Sequence, residues 1–329
     1  MTTRRAFLAT ASGLLVAAPF VRRVEAQGKT VIRFGDVLPA THPSVAMIAR
    51  AARTIAEKSG GRIDLQVFPA SQLGNPRELV EGMTAGAIQM GGEGAAFYGA
   101  WVPAMPVLEA PYIWKDAAHL ARGAASADGK RLVDELVKTR NIRILAITYY
   151  GTRQLTTASK EVKTVGDMAG FKLRVPPSDV FNAMAEAWGA KPTPIAFGEL
   201  YLALKQGTVD GQENPLPTIQ AGKMTEVQKY LVMTSHIITP RSISVNETFW
   251  RGLPDADRAI IAEAIAQAAK DIDAEILKQE QELTASFKAA GMTVVQPDVA
   301  AFRDAVMKVV PPKFEAKWGK GVFERLQSA

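Results

Sequence analysis

Apolar positions along the chain recur with two alternating periods. Val31 and Ile32 with Phe34 read as a strand, and residues 44–57 carry Val45, Ile48, Ala52 and Ile55 at helical spacing. Gly60-Gly61 ends that helix, and Ile63, Leu65 and Val67 alternate with polar residues as a strand. Asn75-Pro76 opens a second helix that Gly86 closes, and residues 87–92 form a short strand. A helix over 131–138 then leads into a buried strand over 142–149. The second half continues in the same style. It has a strand over 171–175 closed by Pro176-Pro177, helices over 179–188 and 197–205, a strand beginning at 209–211 and entering a Pro-rich loop, and a strand within 239–249. Strands alternating with helices predict an α/β protein with a parallel sheet. Pro254 starts the longest helical pattern, with Ile261, Ile265, Ala268, Ile272 and Ile276 as its stripe and Gly291 as its stop. At a rise of ~1.5 Å per residue it reaches about 55 Å, more than one small domain, so it is expected to run across two. Two helices broken near Ala274 are the alternative.

The first residues follow neither period. Arg4-Arg5 precede an apolar run over 6–21, and Val24-Glu25-Ala26 offers a small-residue cleavage site. The run is shorter than the ~20 residues of a membrane span. A basic start, a short apolar core and an A-x-A-like end describe an export signal over 1–26, cut near Ala26. The paired arginines point to the twin-arginine route, with ordinary secretion as the alternative. Its removal takes away four arginines and one glutamate, which lowers the formal charge from +6 to +3. That balance argues against a nucleic-acid partner. The chain has no cysteine, which excludes disulfides, a thiol nucleophile and Cys-ligated metal.

Enzyme motifs are absent from the sequence. Gly91-Gly92-Glu93-Gly94 lacks dinucleotide-loop spacing, no phosphate loop or G-x-S-x-G elbow occurs, and His42, His119 and His236 are scattered. No metal or cofactor is called for. Arginines are the better candidates. In the strand over 171–175, Leu173 and Val175 share one face and Arg174 lies on the other, at the C-terminal end where open α/β sheets bind ligands. Arg153 follows the strand over 142–149. A guanidinium in either place could grip a carboxylate with two parallel hydrogen bonds, or could serve a surface or internal ion pair. Asn214, in the cluster over 210–215, could reach into a cleft or belong to a plain turn between domains. Glu93 stands among three glycines, which admit close ligand approach or a tight turn. Phe197, Trp188 and Tyr98 could wall a pocket or sit in the core.

Longer stretches carry a resemblance. These are Phe68-Pro69-Ala70-Ser71-Gln72-Leu73-Gly74, Gly151-Thr152-Arg153-Gln154, Gly170-Phe171-Lys172-Leu173-Arg174-Val175-Pro176, Trp188-Gly189-Ala190, Pro192-Thr193-Pro194, Tyr201-Leu202-Ala203-Leu204, Gly207 through Pro215, and Thr234-Ser235-His236. Over nearly the whole mature chain they resemble the DctP-type solute-binding proteins of tripartite ATP-independent periplasmic (TRAP) transporters. The resemblance implies a two-lobed periplasmic binding protein fold with a long helix spanning both lobes. Lobe I would take residues 28–151 plus 240–279, and lobe II residues 152–239 plus 280–329. It implies a periplasmic monomer that binds an organic acid, commonly a C4-dicarboxylate or sugar acid, and passes it to permease subunits for sodium-driven uptake. Such a protein uses no cofactor and does no chemistry. Arg174 would be the carboxylate anchor, with Arg153, Asn214, Phe197 and, less firmly matched, Glu93 beside the ligand. The glycines around Glu93 depart from the bulkier pattern and would widen that end of the pocket. A periplasmic lyase or hydrolase, and a binding protein serving a signalling receptor, are the competing readings.

Overall fold

The computed structural model describes residues 28–329, so the expected export signal and cleavage site lie outside the described residues. Among the described residues nine strands form one sheet: β1 (Thr30–Gly35), β2 (Ile63–Phe68), β3 (Met90–Gly94), β4 (Ile142–Thr157), β5 (Lys172–Val175), β6 (Lys191–Pro194), β7 (Gly211–Pro215), β8 (Tyr230–Asn246) and β9 (Thr293–Val295). Their order is β2-β1-β3-β8-β4-β7-β5-β6, with β9 beside β8. β1 pairs parallel with β2 and β3, and β5 pairs parallel with β6 and β7. The pairs β3–β8, β4–β8 and β4–β7 are antiparallel. The sheet is therefore mixed, not parallel as the alternation of elements predicts.

The reason lies in two strands longer than their patterns suggest. β4 does not stop at Tyr149 but continues to Thr157. Gly151, two residues past the expected end, sits at φ +122 where the β4–β8 register shifts between Tyr149 and Gly151. A bulge at that point bends the strand without ending it. Pro240 of β8 faces Tyr149 beside the same shift, where its missing N–H breaks no regular ladder. β3 pairs with residues 241–245 of β8, and β7 with residues 153–157 of β4. Each long strand thus serves one half of the sheet before the break and the other half after it.

The long helix Asp255–Ala289 is unbroken over 35 residues, or about 52 Å. Its first part buries Ile261, Ile265, Ile272 and Ile276 against Ile32, Phe34, Ile48 and Ile55. Leu283 and Phe287, near its end, join Leu200, Leu204, Ile219 and Leu231 in a separate core. Asp255 and Asp257 in the first turn and Lys288 in the last complement its dipole. Between these parts the helix braces the bulge. Glu280 accepts hydrogen bonds from the Thr152 N–H and the Tyr149 hydroxyl at 2.6 Å each, and Asp273 accepts from the Tyr149 N–H at 2.7 Å. Helices Ala117–Ala125, Val299–Met307, Val310–Trp318 and Val322–Gln327, with strands β6 and β9, extend the elements read from the sequence.

Candidate functional site

Beside the bulge lies a cavity with about 540 Å³ of empty space, part of it open to solvent. Arg153, Arg174, Asn214 and Phe197 line it, and Glu93 does not. Trp188 and Tyr98 belong to the core. The Trp188 indole donates to the Phe302 carbonyl, and the Tyr98 hydroxyl lies 3.0 Å from both Ser242 and Ser244.

Arg174 occupies the expected place. It projects from β5 on the face opposite Leu173 and Val175 and is 2% exposed. Its Nε and Nη2 donate to the Ile195 carbonyl at 2.9 and 2.6 Å. Among the described residues no carboxylate forms a salt bridge with it. Burial pulls its pKa down to about 10, with Glu213 opposing and Arg153 adding to the fall, so it is charged near neutral pH. Its only hydrogen-bond partner among the described residues is a carbonyl oxygen, which leaves N–H groups of a buried cation free to donate further.

Arg153 is placed differently. It stands inside β4, past the bulge, opposite Pro215 and Ile237, rather than after the strand's end. Its guanidinium grips both carboxylate oxygens of Glu213, with Nη2 at 2.8 Å from Oε1, and also reaches the Glu213 carbonyl at 2.7 Å. Burial alone would push Glu213 up, but Arg153 and His236 outweigh it and hold the carboxyl below its usual range. His236 Nε2 lies 2.9 Å from Glu213, and its Nδ1 lies 2.7 Å from the Thr234 hydroxyl. An ionised Glu213 can only accept, so Nε2 carries the ring proton and Nδ1 accepts from Thr234. Burial, opposed by Glu213, lowers the His236 pKa and keeps the ring neutral. Asn214 stands in a strand, not a turn. Its Oδ1 accepts from Arg153 at 3.1 Å and its amide donates to Gln212 at 2.6 Å.

The sequence reading missed Arg241 of β8, Glu109 and Tyr150, which also line the cavity. Arg241 Nη2 donates to Asp36 at 2.7 Å and to the Gly92 carbonyl at 2.6 Å, and its guanidinium lies 5.3 Å from the Tyr150 ring centroid. The available signal was a lone charge inside an alternating apolar strand. Gly92 and Gly94 of β3 are explained by this cluster. A Cβ on Gly92 would lie 2.8 Å from Asp36 Oδ2, and one on Gly94 would lie 2.6 Å from Glu109 Oε1. They make room for carboxyl groups of the protein itself. Gly94→Ala is expected to destabilise the fold by about 1–3 kcal/mol, read as a lower urea midpoint at unchanged slope. An unchanged midpoint would refute the close fit.

Glu93 pairs with Ser242 in the sheet and is fully buried, and neither carboxyl oxygen has a hydrogen-bond partner among the described residues. Burial pushes its pKa up to about 8, against the pull of Arg241 and with help from Asp36 and Glu109, so the carboxyl is neutral near pH 7. An acid raised on folding favours the folded state fully below its unfolded pKa, and that contribution disappears as pH rises through the folded value. Stability should therefore decline between about pH 5 and 9. Glu93→Gln should recover on the order of 5 kcal/mol at the alkaline end relative to the acid end. Melting curves across that range check it: parallel profiles for the two proteins would show Glu93 ionised throughout. Glu109, raised to about 7 chiefly by burial, leaves a residual slope of the same sign in the variant.

No helix among the described residues is long and apolar enough to cross a membrane, and no cluster there could hold a metal ion. The family description "Bacterial extracellular solute-binding protein, family 7" matches residues 34–317. The sialic acid-binding periplasmic protein SiaP of Vibrio cholerae is 37% identical over 275 residues, covering 84% of this chain and 85% of that one. The C4-dicarboxylate-binding periplasmic protein DctP of Rhodobacter capsulatus is 30% identical over 92% of this chain and 90% of its own. The crystal structure of a TRAP periplasmic solute-binding protein from a Polaromonas species, bound to D-erythronate, superposes with a TM-score of 0.86 at 28% identity, covering 92% and 99% of the two chains. Sequence, two-lobed fold and long helix agree: this chain belongs to family 7 of the bacterial extracellular solute-binding proteins, the DctP family of TRAP transport.

Proposed function

We propose that the protein captures an organic acid anion outside the cytoplasmic membrane and delivers it to TRAP permease subunits for sodium-driven uptake. It acts as a monomer after export and cleavage near Ala26, and it catalyses no reaction. One observation carries this reading: the cavity holds a buried arginine, Arg174, with no carboxylate of its own. An anion entering the cavity supplies that carboxylate, and the Nη1/Nη2 edge, on the side away from the Ile195 carbonyl that Nε and Nη2 share, suits its two oxygens. The ligands named for the relatives, sialic acid, C4-dicarboxylates and D-erythronate, share a carboxylate and little else.

Lobe I takes residues 28–151 plus 240–279 and lobe II residues 152–239 plus 280–329. The register break at Gly151 and Thr239, and the two cores shared by the long helix, support that division. Arg174, Arg153, Asn214 and Phe197 then belong to lobe II, while Val37, Leu38, Phe97 and Glu109 face them from lobe I. A ligand touching both faces stabilises the closed arrangement.

A thermal-shift comparison of acids with their amides tests the reading. Acids at about a hundredfold excess over their dissociation constants should stabilise the protein by roughly 2.7 kcal/mol, and the matching amides should not. Equal shifts for acid and amide would rule out an anion site.

A further inference from the structure

We propose that this cavity prefers a monocarboxylate with an apolar body, a branched aliphatic or aryl chain, over a dicarboxylate or a polyhydroxylated acid. The proposal rests on the anion-site reading above and narrows it. The first ground is the distribution of charge. Three arginines line the cavity, but Arg153 is paired with Glu213 and Arg241 with Asp36. Of these three, only Arg174 has no salt-bridge partner among the described residues. A second carboxylate on the ligand would find no spare cation, and Glu109, its pKa already raised to about 7 by burial, could sit beside it only by holding its proton. Like charges brought together in a buried site repel strongly.

The second ground is the walls. Two aliphatic, three phenyl and four proline side chains line the cavity. Their polar neighbours are mostly engaged: the Asn214 amide with Gln212, Arg153 with Glu213, and Arg241 with Asp36 and Gly92. Glu109, which already accepts from the Ala96 N–H, is left with Tyr150 and with Thr239, whose buried hydroxyl has no partner among the described residues. These can meet one polar substituent. An acid with a hydroxyl on every carbon would bury most of them without partners, at a loss of affinity, whereas an apolar chain gains from each methylene it removes from water.

Calorimetry on the whole protein with propanoate, butanoate, pentanoate, 4-methylpentanoate, succinate and galactonate tests this, each repeated with Arg174→Ala. The expected result is a rise in affinity of about fourfold per methylene along the aliphatic series. 4-Methylpentanoate should bind at least about tenfold tighter than succinate or galactonate, and every affinity should fall in the variant. Tighter binding of succinate or galactonate that is lost in Arg174→Ala would overturn the preference and leave the anion site standing. Binding that survives Arg174→Ala would overturn both, as would no binding of any of the six acids.

Discussion

Arg174→Ala is expected to weaken binding of the natural acid by about 30- to 5,000-fold, a loss of ~2–5 kcal/mol. The carboxylate would still be enclosed on binding but would have lost its only unengaged cation. Arg153 cannot replace it, because both oxygens of Glu213 already occupy that guanidinium. The ligand-free protein should respond in the opposite sense. Arg174 is buried against one carbonyl oxygen, so deleting its charge removes a desolvation penalty that Glu213 relieves only in part. The empty variant should melt no lower than the wild type. Arg174→Lys, which keeps the charge but not the fork, should fall between the two in affinity. Calorimetry and melting curves on the three proteins read these effects, and affinity within threefold of wild type for the alanine variant would eliminate Arg174 as the anchor.

Glu213→Ala should be the most destabilising of the substitutions considered. Glu213 is 0% exposed and satisfies Arg153 and His236 together. Its removal strands a buried cation and a buried ring N–H, which costs about 3–5 kcal/mol. For a protein of this size that is a drop in Tm on the order of 10 °C. His236→Ala loses one hydrogen bond to the carboxylate, one from the Thr234 hydroxyl and an edge-on contact with Trp188 at 5.1 Å, but strands no charge, so it should cost less. Replacing Arg153 and Glu213 together by apolar residues should recover much of the loss, because no charge is left unpaired. A loss below about 1 kcal/mol for Glu213→Ala would mean that water reaches Arg153 in solution.

The parts of the site legible in the sequence are those that local pattern determines. Arg174 could be placed because a period of two fixes which face it takes, and Phe197 because it begins a helix whose limits the periodicity gives. The long helix was legible from its stripe. Arg153 was assigned to the wrong side of a strand end because a glycine that bulges a strand and one that ends it look alike in sequence. Asp36 and Glu109 could not be found locally, and the lone charge of Arg241 gave no sign of what it faces. Gly94 faces Arg241 across the β3–β8 ladder, and Asp36 reaches the same guanidinium from the end of β1. Only the sheet order brings these distant segments together. The same order gives the glycines around Glu93 their meaning, which flanking sequence alone presented as extra room for a ligand.

The place of β8 in that order also bears on synthesis. It lies between β3 and β4, yet the ribosome makes it after both. Until residue 246 has emerged, β3 and β4 each present a bare edge to the surroundings, and such edges readily recruit other chains. The isoleucine stripe that covers the face of β1 arrives later still, between residues 261 and 276. The nascent protein therefore carries an open sheet through most of its translation. A chaperone that shields β3 and β4 should raise the yield of folded protein most for chains stalled or slowed before Tyr230.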